Sequence, residues 1–280
     1  MSMIPVAEGI ELYCEEIGSG DRWLLTCQEG FQEGDGYLSL LANEGFHVLC
    51  IQIRGFGRST HVLEDYDNRW WEIWADDAVT VADRLGIDRF FYCGVSHGAG
   101  IGWYICQRHP ERVRGFFGIV AGPHPRGGLE TSEARWRVIQ AAQTQESWNA
   151  YVNERFGGGR PELTGTESEE EKAKVLRKQQ AYDRQIAIPI ECSRINPKKP
   201  FNHCKTEEEL SELLSHITVP TLLLGGMHDV ISTTATMIRS GSAVPNAKTV
   251  FYDATHGLSG ERPQEVVDDI LLFCRQRKLY

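Results

Sequence analysis

No stretch of this 280-residue chain approaches the roughly 18 consecutive apolar residues that cross a bilayer. Residues Met1 to Glu16 lack the basic region and long apolar run of a secretory leader, so a cytoplasmic protein is expected. Basic charge is also short. Against 39 Asp and Glu stand 29 Lys and Arg, a formal charge of −10. That deficit argues against nucleic acid as a partner and against a basic membrane-binding surface. Eight cysteines, at positions 14, 27, 50, 93, 106, 192, 204 and 274, include no C-x-x-C pair, and several sit in apolar strand-like runs. Reduced, buried thiols fit this better than a disulfide framework or a zinc site, and no metal is expected. Internal repeats and low-complexity segments are missing too. At this length the chain can bury a large core, either as one domain with an insertion or as two domains.

What is present centres on Phe90–Gly100. An apolar strand runs into Gly94-Val95-Ser96-His97-Gly98, and a helix-compatible run follows. A serine at a sharp strand-to-helix turn sits in a strained backbone conformation that exposes its Oγ. The residues two positions away on each side must then be small, and Gly94 and Gly98 meet that demand. The backbone N–H of His97 falls at a helix N-terminus, where donors and the helix dipole favour negative charge.

Around this elbow the pattern alternates. Strand-like runs are read at Gly9–Ile17, Arg22–Cys27, Phe46–Ile53, Phe90–Cys93 and Val113–Ala121. Helical periodicity is read at Tyr37–Asn43, Trp70–Leu85 and His97–Arg108, and Arg54–Ser59 is a tight glycine-rich turn. Such alternation implies βαβ units and a mostly parallel sheet. The rhythm stops between Gly122 and Ile217, where only helix-like stretches appear, at Glu130–Phe156, Ser168–Ile186 and Thr206–His216. Ser168 and Glu171 form the pattern of a capping box. Alternation resumes with Val219–Leu224, Ser232–Ser240, Ala247–Tyr252 and Pro263–Arg277. The expected organisation is a core from residues 1–121 and 218–280, with 122–217 as a helical cap insertion.

A serine hydroxyl needs a base to take its proton, and the base needs an orienting acid. Asp229 follows one strand and His256 follows the next. Both therefore project, with Ser96, from the carboxyl edge of one sheet, where open α/β sheets bind ligands. His228 is a rival base and Asp253 a rival acid. An oxyanion hole needs two preorganised donors. His97 N–H is one. Gly30 or Phe31, in the loop after Arg22–Cys27, is read as the other.

These motifs resemble the α/β-hydrolase superfamily. The resemblance rests on the elbow, the Arg54-Gly55-Phe56-Gly57-Arg58-Ser59 turn, the Asp229 strand end and the His256 loop, and it covers nearly all of the core. It implies an eight-stranded, mostly parallel sheet flanked by helices. The superfamily hydrolyses esters, lactones, epoxides, haloalkanes or C–C bonds of diketones, and serine at the elbow disfavours the epoxide and haloalkane branches. Two positions depart from the usual pattern: Glu29-Gly30 replaces His-Gly, and Gln52 replaces an aspartate. The loop Gln28–Glu33 is similar to that of zearalenone lactone hydrolases, as is His109–Arg114. In that family the acid follows the sixth strand, near Val120 here, so Asp229 must take the role. The Ser96-His97-Gly98 elbow is also similar to that of cofactor-free quinolone dioxygenases.

The leading expectation is a serine hydrolase of an uncharged ester or lactone, with Ser96 as nucleophile, His256 as base and Asp229 as its orienter. No cofactor is expected, and a small-molecule substrate is the only partner; a homodimer is one option for the oligomeric state. Trp136, Trp148 and Glu29 are candidate pocket residues. Trp70, Trp71 and Trp74 could join them, although their helical spacing also fits a core. A C–C hydrolase or cofactor-free dioxygenase on the same fold is the alternative. A hydrolase-derived ligand receptor is the alternative from another class.

Overall fold

The computed structural model describes residues 1–29, 36–62, 66, 69–123, 137, 140–141, 143–187, 200–201 and 203–280. Among these, eight strands form one sheet in the order β1-β2-β4-β3-β5-β6-β7-β8. They are β1 Ser2–Ala7, β2 Ile10–Ile17, β3 Arg22–Gln28, β4 Phe46–Gln52, β5 Phe90–Val95, β6 Val113–Ile119, β7 Thr221–Gly226 and β8 Ala247–Tyr252. β1 and β2 pair antiparallel, and β2 joins β4 antiparallel. Every pairing from β4 through β3, β5, β6 and β7 to β8 is parallel. β1 lies beyond the strands read from sequence. Its edge position tolerates Pro5, which lacks a ladder N–H, and only Ile4 is buried, so it carries little apolar alternation.

β3 pairs with β4 on one side and β5 on the other, so the strand order reverses there. In open α/β sheets that reversal opens a crevice at the carboxyl ends of the strands. The described helices include α1 Tyr37–Asn43, α2 Trp70–Arg84 and α3 His97–Arg108. After β6 come α4 Gln145–Arg155, α5 Glu169–Ile186 and α6 Glu207–Ser215. α7 Thr234–Ala243, α8 Leu258–Glu261 and α9 Pro263–Arg277 complete the chain. Two buried clusters line the two faces of the sheet, one holding Trp70, Trp74 and Trp103, the other Phe46, Phe117 and Phe273. Burying a large apolar side chain contributes about 1.5–3 kcal/mol, and these clusters hold the strand ends in place.

Between β6 and β7 the sheet rhythm is absent among the described residues, and α4 and α5 build a small core of their own from Ala141, Trp148 and Val152 with Tyr151, Phe156, Tyr182 and Ile186. The capping box expected at Ser168 and Glu171 is formed, and Thr144 and Thr206 cap α4 and α6 in the same way. Seven cysteines, 14, 27, 50, 93, 106, 204 and 274, are buried free thiols. Burial pushes Cys14, Cys50, Cys93 and Cys274 up to about 12. Cys192 lies outside the described residues. Among the described residues, no helix is long and apolar enough to cross a membrane.

Candidate active site

The elbow is built by glycine. Ser96 has φ 49° and ψ −105°, a sparsely populated region for a residue with a side chain. Its N–H donates to Ile119 O at 2.9 Å and its carbonyl accepts from Gly100 N at 3.0 Å, which fixes the turn between β5 and α3. A Cβ on Gly94 would lie 2.4 Å from the Gly98 carbonyl carbon, and one on Gly98 would lie 2.4 Å from Cys27 O. Both glycines are required by backbone approach, as the sequence pattern implied. Gly98 in particular lets α3 start against the end of β3, at the crevice.

Asp229 and His256 come from the loops after β7 and β8, and these loops are joined by backbone. Met227 N donates to Tyr252 O at 2.9 Å and His228 N to Ala254 O at 3.0 Å. Gly226 permits the contact, because a Cβ there would sit 2.5 Å from both Ala254 O and Thr255 O. The result is a continuous chain of side chains. His256 Nε2 lies 2.9 Å from Ser96 Oγ, and His256 Nδ1 lies 2.8 Å from Asp229 Oδ2. A carboxylate only accepts, so Nδ1 carries the proton and the neutral ring leaves Nε2 to accept from Ser96.

The other carboxylate oxygen of Asp229 accepts from Ile231 N at 2.7 Å and Ser232 N at 2.9 Å. The Asp229 side chain is fully buried. Burial alone would raise its pKa. The hydrogen bond from His256 and those two N–H donors outweigh burial and hold the carboxyl below its ordinary range.

The rival pair is accounted for separately. His228 Nε2 and Asp253 Oδ1 lie 2.8 Å apart on the outer side of the same two loops, with side chains 64% and 80% exposed. Each occupies the other. Glu261 stabilises the His256 loop from below, accepting from Thr255 N at 3.0 Å and from Thr255 Oγ1.

His97 opens α3, and its backbone N–H belongs to the first helical turn, whose donors have no carbonyl within the helix. Its ring packs against Trp71 and Trp74, with centroids 4.7 and 4.9 Å away. Trp70, Trp71 and Trp74 are all buried. These tryptophans form the core behind the elbow. α2, which carries them, is fastened by a buried fork: Arg54 Nε and one terminal nitrogen donate to Asp77 at 2.7 and 2.6 Å. The unusual Gln52 also has a local task. Its side-chain oxygen accepts from Arg58 N at 2.7 Å and closes the Gly-rich turn.

Glu29 has a half-exposed side chain whose Oε1 is 3.8 Å from His97 Nε2. Gly30, Phe31 and Trp136 lie outside the described residues. Trp148, read from the sequence as a candidate pocket residue, packs with α4 and α5. It is 8% exposed in the α4–α5 core, and its indole N–H donates to Gln185 O at 3.0 Å. An indole at helical spacing looks the same in sequence whether it faces a pocket or a core. Among the described residues, no group of three or more His, Cys, Asp or Glu side chains is placed to hold a metal ion. Val120, where the lactone-hydrolase resemblance placed the acid, follows β6 with φ 46° and donates its N–H to Leu224 O at 2.7 Å.

The alpha/beta hydrolase fold family profile matches residues 31–263, and the chain belongs to that family. A bifunctional esterase/perhydrolase of Acinetobacter calcoaceticus is 23% identical, covering 98% of this chain and 100% of that protein. A zearalenone hydrolase of Cladophialophora bantiana is 34% identical over 117 residues, 40% of this chain and 44% of that protein. The solved enol-lactonase of Burkholderia xenovorans superposes with a TM-score of 0.72 at 21% identity, covering 98% of this chain and 100% of that one.

Proposed function

We propose that this protein is a serine hydrolase that cleaves an uncharged carboxylic ester or lactone. The observation that carries the reading is the run Ser96 Oγ–His256–Asp229, at 2.9 and 2.8 Å, on a strained elbow at the sheet's carboxyl edge. His256 Nε2 takes the Ser96 proton as Oγ bonds to the substrate carbonyl carbon. The carbonyl π pair moves onto oxygen, where His97 N–H and a second donor at Gly30 or Phe31 receive it. The tetrahedral centre collapses, and the alkoxide leaves with the proton from Nε2. Water then repeats the sequence on the acyl-enzyme, returning Ser96 and releasing the acid. Asp229 accepts from Nδ1 throughout and stabilises the transient imidazolium.

Residues 122–217 act as the cap, and a wall over the carboxyl edge would exclude water and select the substrate. The esterase activity named for the full-length relative supports an acyl substrate. A cytoplasmic setting agrees with the seven described free thiols.

The test joins a fluorophosphonate label to a panel of p-nitrophenyl esters and ring lactones. Stoichiometric labelling of Ser96, lost in Ser96→Ala, with turnover on at least one panel member is expected. Turnover of an ester by folded Ser96→Ala at the wild-type rate would overturn the reading.

A further inference from the structure

Arg239 lies on α7, ten residues after Asp229, and its guanidinium reaches two segments of the insertion, one at its start and one at its last helix. One terminal nitrogen donates to Pro123 O, just after β6, and the other donates to Glu207, the first residue of α6. The guanidinium-bearing side chain is only 14% exposed, whereas Glu207 is 58% exposed. Among the described residues, its buried Nε has no hydrogen-bond partner.

Such a site is a poor way to gain stability. Taking a guanidinium out of water costs several kcal/mol, and one half-solvated carboxylate with one carbonyl offsets only part of that. Burial depresses the Arg239 pKa, and the opposing pull of Glu207 offsets that only in part. What the arrangement does supply is position. A planar fork that must meet two partners fixes the distance between them.

A second fastening lies beside it. Gly122 N donates to Ser232 Oγ at 2.7 Å, while Ser232 N donates to Asp229 Oδ1 at 2.9 Å. Ser232 is 3% exposed. Gly122 can approach only because it lacks a side chain: a Cβ there would lie 2.5 Å from Thr236 Oγ1 and 2.9 Å from Ser232 Oγ. The same short stretch therefore holds the Asp229 carboxylate at one end and the start and last helix of the insertion at the other.

We propose that Arg239 is a positioning residue that clamps the start of the 122–217 insertion and its last helix, α6, to the Asp229 loop, and so sets the size of substrate the pocket accepts. Ser232 is the link between that clamp and Asp229. The inference rests on reading the insertion as a cap over a hydrolase site. It adds which residue holds the cap and predicts that clamp loss alters selectivity more than chemistry.

The test uses the full chain with Arg239→Met, which keeps the apolar stem, Arg239→Lys, which can hold one partner, and Glu207→Gln, which keeps the Pro123 contact. kcat and KM are measured on p-nitrophenyl acetate and p-nitrophenyl octanoate, and amide exchange is followed in peptides covering 118–123 and 203–210. Arg239→Met should raise the octanoate KM about tenfold, the scale of a wall displaced by a fraction of an ångström to one ångström. The acetate kcat should stay within about twofold, and exchange at both flanks should speed up together. Lys and Gln variants should fall between. Equal loss of kcat on both esters in a folded variant would overturn the proposal, as would an unchanged octanoate KM. If the wild type cleaves neither ester, exchange alone decides the clamp, and the hydrolase reading is decided separately by the fluorophosphonate label and the lactone panel. Faster exchange at one flank only, or at neither, refutes it. If Arg239→Met does not fold, the Lys and Gln variants carry the same two readouts.

Discussion

Replacing Asp229 by asparagine separates charge from shape at the centre of the site. The carboxylate accepts at both oxygens: Oδ2 from His256 Nδ1 at 2.8 Å, and Oδ1 from Ile231 N and Ser232 N at 2.7 and 2.9 Å. An amide accepts at one atom and donates at the other, so it cannot repeat this. If its nitrogen faced Ile231 and Ser232, two buried N–H donors would meet a third, and each lost partner costs about 1–3 kcal/mol. If its oxygen faces them, both bonds survive and the NH₂ points at His256 Nδ1. The second orientation wins. It is satisfied only if the imidazole moves its proton to Nε2, which then donates to Ser96 Oγ and can no longer take its proton.

Asp229→Asn should therefore fold with a melting temperature within a few degrees of wild type and lose its base. The same exchange in the serine-protease triad lowers kcat about ten-thousandfold through the wrong tautomer, or roughly 5.4 kcal/mol of barrier at 1.36 kcal/mol per decade. The assay is kcat on whichever panel ester is turned over best, with thermal melting in parallel. Asp253→Asn is the control. Its carboxylate meets exposed His228 rather than His256, and its kcat should stay within about threefold. A folded Asp229→Asn that keeps more than a tenth of the wild-type kcat would refute the assignment of the acid. So would an Asp253→Asn variant damaged more than Asp229→Asn.

Acid should expose the same carboxylate. Its folded pKa is depressed, so its contribution to stability is full above the ordinary aspartate value of about 3.9 and is lost as pH falls below it. The wild-type melting temperature should drop further between pH 5 and 3 than that of Asp229→Asn, and parallel curves would contradict this. Gly226→Ala should lower kcat about a hundredfold, because its Cβ would meet two backbone oxygens of the His256 loop at 2.5 Å and must displace it. Gly260→Ala, with nothing within 4 Å, should match wild type on the same assay. The seven described cysteines should resist a thiol reagent such as dithionitrobenzoate until the protein unfolds. Rapid labelling of Cys27 or Cys93 in the native state, read by peptide mapping, would contradict their burial.

How far the sequence could be read depended on where each constraint acts. Helices α1, α3 and α9 begin and end as their local signals say, at Gly45, at the elbow and at Pro263. The convergence of Ser96, Asp229 and His256 was legible for a similar reason. Each follows a strand of the parallel part of the sheet, and topology brings such ends to one edge without further information. Gly94, Gly98 and Gly226 write the close approaches into the chain directly, since only glycine fits them. β7 begins two residues later than its apolar run, because Pro220 cannot donate into the ladder, and it extends through Gly225 and Gly226, which pair with Phe251 and Tyr252.

The packing of the insertion was not legible. Trp148 packs where α4 and α5 make a core between them, a fact that depends on pairing two helices rather than on the spacing of either. Arg239 was invisible for the same reason, since its carbonyl partner lies 116 positions away. On the proposed reading, chemistry at this site rests on backbone geometry that a few residues enforce locally. Selectivity would rest on how the insertion is fastened, through contacts between segments distant in sequence. Substitutions at Gly94, Gly98 or Gly226 should therefore lower turnover on every substrate together. Substitutions at Arg239 or in the α4–α5 core should reorder the substrates instead.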